Sequence, residues 1–186
     1  MQNKKPMVLV FAGPNGSGKS TIKQFFEIVG EYTNADDVVA STGISNMDAA
    51  ELVDKLRYKA INEKRDFSFE TVLSSSYKLD ILNKAKESGY FIKCAFVLTS
   101  NPKINITRVK TRVSIGGHDV PEDKIISRYY KSIENIKELI KICDILHVYD
   151  NTIKPERIIR KHKDSISVYP NEFWNEKKLS AMIGLT

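Results

Sequence analysis

Cysteine is scarce in this chain: Cys94 and Cys143 are the only two among 186 residues. Two are too few for a disulfide framework, and their spacing fits no metal-ligand pattern, so both read as small, buried apolar residues. Long hydrophobic runs are also absent. The longest, Met7 to Ala12, falls far short of the ~20 residues a bilayer-crossing helix requires. Met1 to Lys5 lack the apolar stretch of a secretory leader, so a cytoplasmic location without membrane attachment is expected. No internal repeat, low-complexity tract or flexible linker interrupts the chain. Residues 1–186 therefore read as one domain, with a C-terminal extension from about residue 165. The Asn-Lys-x-Asp pattern that reads guanine is missing, which argues against a GTPase.

The composition present is that of a chain that folds by itself. A hydrophobic fraction of 41% with 28% charged residues excludes disorder and fibrous repeats. Lys and Arg outnumber Asp and Glu by 29 to 23, a net charge of +6 that draws anions without naming one. Nucleotides satisfy it, and nucleic acid is not excluded. The run Arg157, Arg160, Lys161, His162, Lys163 is the best patch for nucleic acid, or else a solvated face.

Short apolar runs alternate with helical spacing along the whole chain, the pattern of an α/β fold with a parallel sheet and crossover helices. Strands are expected at Met7 to Phe11, Glu31 to Thr33, Phe67 to Glu70, Phe91 to Leu98 and Ile145 to Tyr149. Weaker strand signals cover Arg157 to Lys161 and Ser165 to Tyr169. Helices are expected at Ser20 to Val29, Met47 to Glu63, Tyr77 to Ser88, Pro102 to Val113 and Pro121 to Cys143. In the last, Ile125, Tyr129, Ser132, Ile133, Ile136, Leu139, Ile140 and Cys143 form one stripe that should cover the sheet. The tail carries Phe173, Trp174, Leu179, Met182 and Ile183 in an amphipathic pattern suited to core packing.

Residues 13 to 20 read Gly-Pro-Asn-Gly-Ser-Gly-Lys-Ser, matching G-x-x-x-x-G-K-[ST] between an expected strand and an expected helix. Gly13, Gly16 and Gly18 let the backbone turn tightly, so that N–H groups of the loop Gly13, Pro14, Asn15, Gly16, Ser17, Gly18 approach phosphate oxygens. Lys19 should reach the β- and γ-phosphates of ATP, Ser20 should offer its hydroxyl to Mg²⁺, and Thr21 closes the motif.

Ligands of open parallel sheets sit beyond the carboxyl ends of the strands, and two acidic turns fall there: Asn34-Ala35-Asp36-Asp37 and Phe69-Glu70-Thr71. Asp36 is the candidate base for a substrate hydroxyl, with Asp37 as the alternative base or a helix cap. Glu70 and Thr71 are candidates to hold substrate or a metal-bound water. Further on, Arg108 and Arg112 lie four apart on one helical face, before Ser114-Ile115-Gly116-Gly117-His118-Asp119 and Pro121. The paired glycines read as a hinge. Arg112 and Arg128 bracket a lid at about 112–121 that could neutralise moving charge, while His118 could contact a phosphate or be surface only.

These segments together resemble the zeta toxin group of P-loop kinases in its compact bacterial form. The likeness is carried by Phe11 to Thr21, Asn34-Ala35-Asp36, Phe69-Glu70-Thr71, and Arg112 through Gly116-Gly117-His118-Asp119-Val120-Pro121 to Arg128-Tyr129. The resemblance implies transfer of the ATP γ-phosphate to a sugar hydroxyl of UDP-N-acetylglucosamine, and an antitoxin protein as partner. It also implies Asp36 as base, Glu70 and Thr71 at the substrate, and Arg112 and Arg128 at the phosphates. Asp37-Val38-Val39-Ala40 stands where longer toxins carry a second Asp-rich turn, so the acceptor stays open. Two other readings remain. One is a nucleotide-driven ATPase switch of ABC type, to which Ile115-Gly116-Gly117-His118 bears a weak likeness. The other is a nucleic-acid-end kinase.

Overall fold

The computed structural model describes residues 4–185; Met1 to Asn3, read above for a leader, and Thr186, the end of the extension, lie outside them. The elements are β1 (Met7–Ala12), α1 (Lys19–Lys23), β2 (Glu31–Thr33), α2 (Ala35–Thr42), α3 (Asn46–Asn62), β3 (Phe67–Thr71), α4 (Ser76–Glu87), β4 (Phe91–Leu98), α5 (Pro102–Ser114), α6 (Glu122–Glu134), α7 (Ile136–Ile142), β5 (Ile145–Asp150), β6 (Glu156–His162), β7 (Ser165–Val168) and α8 (Glu176–Ile183). They build one seven-stranded sheet in the order β2-β3-β1-β4-β5-β6-β7. The first five strands run parallel, and β6 and β7 are antiparallel additions.

β1 is central because both of its faces are apolar. Val8, Val10 and Ala12 join a large core with Phe69, Phe96, Ile136, Leu146 and Ile159, while Leu9 and Phe11 pack with Ile22, Ala95 and Val97 on the other side. A strand buried on both faces reads as an unbroken apolar run, which is what Met7 to Ala12 shows. From β1 the chain goes to β2 and β3 on one side and to β4 on the other. The loop after β1 therefore opens at the switch point of the sheet, where ligands of such folds bind.

Every expected strand is present within about two residues. The helices differ in three places. α1 ends at Lys23 and passes into turns through Phe26, and the rest of the expected helix, to Val29, is open coil. The helix expected over Pro121 to Cys143 is divided at Asn135, whose side chain donates to the Leu73 carbonyl at 2.8 Å. The stripe survives the break, with Ile125, Tyr129, Ser132, Ile136, Leu139 and Cys143 all buried. The third difference is α2, an unexpected helix with no buried residue, started by Asn34 and stopped by left-handed Gly43. Cys94 and Cys143 are free and buried, and Trp174, Leu179, Met182 and Ile183 of the tail close the large core, as expected. Among the described residues no helix is long and apolar enough to cross a membrane.

Candidate active site

The phosphate loop is shaped by contacts that leave no room for side chains. Gly13 has φ 138, and a Cβ there would run into the Val97 carbonyl of β4; Gly18 has φ 92, and a Cβ would meet the Asn151 amide. Both are conformations that residues with a Cβ rarely adopt. Two asparagines fix the loop from outside. Asn105 of α5 donates to the Asn15 carbonyl at 2.7 Å, and Asn151, just past β5, donates to the Ser17 carbonyl at 2.8 Å. The result is a backbone cradle open to an anion, with the buried Ser17 hydroxyl unpartnered inside the loop.

Lys19 is only 8% exposed. Its ammonium donates to the carbonyls of Gly13 at 2.8 Å and Pro14 at 3.2 Å, and stands 3.7 Å from Glu70. Burial pushes its pKa below the ordinary lysine value, while the carboxylates of Glu70 and Asp36 act in the other direction and Arg112 adds to the lowering. Lys19 therefore feels Glu70, Asp36 and Arg112 at once, although these come from three other segments of the chain.

Glu70 is the penultimate residue of β3 and lies beside Phe11 of β1. Its other oxygen accepts from the Tyr32 hydroxyl at 3.2 Å, and Lys23 donates to that hydroxyl at 3.1 Å. Burial first, and then Glu70, push the Tyr32 pKa upward, so Tyr32 stays a donor. Beneath this pair lies Arg57 of α3, 3% exposed. It donates to the Thr33 hydroxyl at 2.9 Å, the Thr33 carbonyl at 3.2 Å, the Glu70 carbonyl at 3.5 Å and Asp54 at 3.0 Å, with its guanidinium 4.4 Å from the centre of the Phe69 ring. Arg57 thus ties the ends of β2 and β3 together and sets the two acidic turns side by side. Lys78 of α4 completes the network with a 2.8 Å ion pair to Asp54.

These groups open on a cavity of about 530 Å³, shared by Asn15, Gly16, Lys19, Asp36, Arg57, Glu70, Thr71, Lys78, Arg112, His118, Lys124 and Arg128. Asp36 is exposed at the start of α2, whose cap is Asn34, its side chain accepting from the Asp36 N–H at 3.2 Å. Asp37 lies outside the cavity lining and does not cap the helix. Thr71 is buried, and its hydroxyl accepts from the Leu73 N–H at 3.2 Å, so it shapes the turn that holds Leu73 at φ 55. Ser20 and Thr21 are exposed in α1, outside the cavity lining.

The paired glycines of the arginine segment form the end of a helix. Gly116 at φ 89 and Gly117 close α5, donating to the carbonyls of Val113 and Arg112 at 2.9 Å each, the paired bonds of a Schellman cap. Arg112 donates to the His118 carbonyl at 2.7 Å, while the His118 side chain is exposed. Arg128 of α6 reaches the phosphate loop itself, donating to Asn15 at 3.2 Å. Arg108 points elsewhere, to the Thr152 carbonyl at 3.0 Å. Sequence reasoning missed Arg57, Asp54, Lys78, Asn105 and Asn151. For the first two a signal existed: Ala49, Val53, Arg57 and Ala60 share the buried face of α3, so a charged residue sits in an apolar stripe.

A glycine cradle at the switch point, a lysine inside it and converging arginines define a P-loop kinase fold. The zeta toxin sequence family matches residues 29–173, and the chain belongs to that family. Because the match begins after the phosphate loop, family and loop motif are separate observations. An uncharacterized protein of Haemophilus influenzae is 30% identical over 135 residues, spanning 69% of this chain and 94% of that one. Among solved structures, the AvrRxo1-ORF1:-ORF2 complex with ATP is similar over 97% of this chain at TM-score 0.75 and 14% identity. A chain of the PezAT toxin-antitoxin system of Streptococcus pneumoniae is similar over 99% at TM-score 0.64 and 16% identity. This chain spans 64% of the former and 80% of the latter, and at these identities both likenesses speak for the fold.

Proposed function

We propose that the protein is an ATP-dependent kinase that transfers the γ-phosphoryl group to a hydroxyl of a small acceptor. The observation that carries this reading is the single cavity shared by the phosphate-loop lysine, Asp36, Glu70 and the arginines of α5 and α6. Membership of the zeta toxin family and the likeness to a complex solved with ATP support it.

The loop Gly13 to Gly18 fits a nucleotide phosphate chain, since Gly13, Gly16 and Gly18 take left-handed turns packed so closely on Val97, Asn105 and Asn151 that only glycine can build them. Among the described residues no cluster of three His, Cys, Asp or Glu could hold a metal. Ser20, exposed next to Lys19 and beside the cavity lining, would use its hydroxyl to hold Mg²⁺, an ion that takes few protein ligands and several phosphate or water oxygens. Mg²⁺ held there would supply neutralisation of the phosphate charge. Lys19 binds phosphate oxygens at the mouth of the cradle. Arg112 and Arg128 stabilise charge as it spreads between donor and acceptor, and Arg128 also fixes Asn15. Asp36 orients the acceptor hydroxyl and takes up its proton; in so loose a transition state the orientation matters more. Glu70, steadied by Tyr32, holds the acceptor on the β3 side.

Residues 1–186 act as one catalytic unit, with 112–121 as its lid. The acceptor is a UDP-N-acetyl sugar, a reading supported by family membership and by Lys124 on the cavity wall. A protein antitoxin is the partner that the likeness to PezAT supports. The test is incubation with γ-labelled ATP and a panel of UDP-N-acetyl sugars, free sugars and nucleosides. A labelled UDP-sugar is expected. Label on another acceptor would move the substrate, and label released only as inorganic phosphate would favour an ATPase switch.

A further inference from the structure

The strands β4 to β7 have two unlike faces. Leu146, Val148, Ile159, Ile166 and Val168 look into the large core. Cross-strand register fixes what the opposite face shows, because directly paired residues point the same way. There Lys93 pairs with Ile145, His147 with Arg160, Tyr149 with Arg157 and His162 with Ser165. A register shift between Val148 and Tyr149 lets Ile158 and Ile159 both bury while Arg157 and Arg160 stay exposed on the same side. The small cluster around Phe11 and Val97 reaches this side only as far as Phe26 and Tyr149, so the surface beyond them is open.

We propose that this face, carrying Lys93, His147, Tyr149, Arg157, Arg160 and Tyr169, is a binding platform for single-stranded nucleic acid. Its cations and rings are interleaved. The Lys93 ammonium lies 5.0 Å from the Phe26 ring centre, the Arg157 guanidinium 5.7 Å from that of Tyr169, and His147 and Tyr149 meet edge to face at 6.1 Å. A sheet face that carries aromatic rings between cationic groups matches a strand whose bases stack and whose phosphates alternate with them. A recess of about 650 Å³ adjoins the platform, lined in part by Lys4, Phe26, Lys93, His147 and Tyr149. Of the two acids on its wall, Asp66 is engaged with the Met7 N–H at 2.7 Å, and Glu27 is exposed in the coil after α1. Burial first, and then the cations of Arg157, Lys93, Arg160 and His162, disfavour charge on His147. Charge complementarity selects a polyanion, and the rings select one with bases. The platform is separate from the cavity of Lys19 and Asp36, none of whose lining residues it shares.

The probe is a fluorescein-labelled 12-nucleotide oligo(U), followed by anisotropy with the full chain from about 50 to 300 mM salt. Three phosphate contacts from Lys93, Arg157 and Arg160 predict a slope of log K against log salt of roughly −2. The double variant Arg157→Glu/Arg160→Glu should lose more than about tenfold in affinity at the lowest salt, with phosphotransfer and melting temperature retained. Tyr169→Ala should weaken binding about tenfold and leave the slope unchanged, as loss of one stacked base does. The proposal is overturned by any of three results. These are no binding at 50 mM salt, binding that saturating ATP abolishes, and equal capture of heparin, polyglutamate or anionic vesicles with no effect of Tyr169→Ala. The third result would assign the face to an acidic protein or a lipid surface instead.

Discussion

The Lys19 ammonium is held between two loop carbonyls and the Glu70 carboxylate, 2.8 Å from Gly13, 3.2 Å from Pro14 and 3.7 Å from Glu70. This parks a buried cation at the mouth of the phosphate cradle, with its charge satisfied by neighbours rather than by water. Replacing Lys19 by Ala removes the point charge while the glycine turns, fixed by Asn105 and Asn151, remain. We expect ATP affinity or turnover to fall by at least about 100-fold with an unchanged circular dichroism spectrum. Titration calorimetry and steady-state kinetics check this.

Arg57 is a structural prediction of a different kind. Its guanidinium is paired with Asp54 and joins β2 to β3, so Arg57→Met leaves Asp54 buried with Lys78 as its remaining cation. Breaking a buried pair in this way costs about 3–5 kcal/mol. Denaturant unfolding should show a loss of that size. Because Arg57 also sets the spacing of the two acidic turns, transfer should fall even at temperatures where the variant remains folded.

His147 gives a pH dependence whose sign is fixed by the fold. Burial, then the cations of Arg157, Lys93, Arg160 and His162, lower its pKa from 6.5 to about 4. Tyr149 faces it on its own strand, while Asp66 and Glu27 line the adjoining recess. Between those pH values the unfolded chain binds a proton that the folded chain refuses, so stability falls as pH drops from 6.5 toward 4 and is fully retained above 6.5. Thermal melts at pH 7 and 4.5 should differ less in His147→Gln than in the native protein. An identical difference would show that His147 does not titrate this way.

Arg128 and Arg112 should separate in kinetics. Arg128 touches the phosphate loop through Asn15, whereas Arg112 also braces the 116–118 turn through the His118 carbonyl. Arg128→Ala is expected to lower kcat by about 10²- to 10³-fold, the range for loss of one fixed charge-stabilising donor. Arg112→Ala should lower kcat and also raise the KM for ATP, because the turn loosens. Stopped kinetics on both variants, with the melting temperature as control, tests the distinction.

Much of this was legible in the amino-acid order because it rests on period and punctuation. The unbroken apolar run of β1 followed by three glycines announced both a doubly buried strand and a phosphate loop. α2 was not legible, since it buries nothing and so writes no apolar period; Asn34 and Gly43 alone define it. α1 was overread because Phe25 and Phe26 continue a helical spacing although the backbone has already turned, leaving Phe25 71% exposed. In the site, residues inside contiguous motifs were found, whereas Asn105 and Asn151 meet the loop from 90 and 134 residues away in the chain. A lone asparagine at such a distance carries no local signal.

The central claim is transfer to a hydroxyl oriented by Asp36, and a single-turnover assay of Asp36→Asn measures it most directly. With γ-labelled ATP and the identified acceptor, the native protein should put label on the acceptor, while Asp36→Asn should bind ATP with unchanged affinity and form product about 10² to 10⁴ times more slowly. Product formation at the native rate with equal ATP affinity would contradict the account.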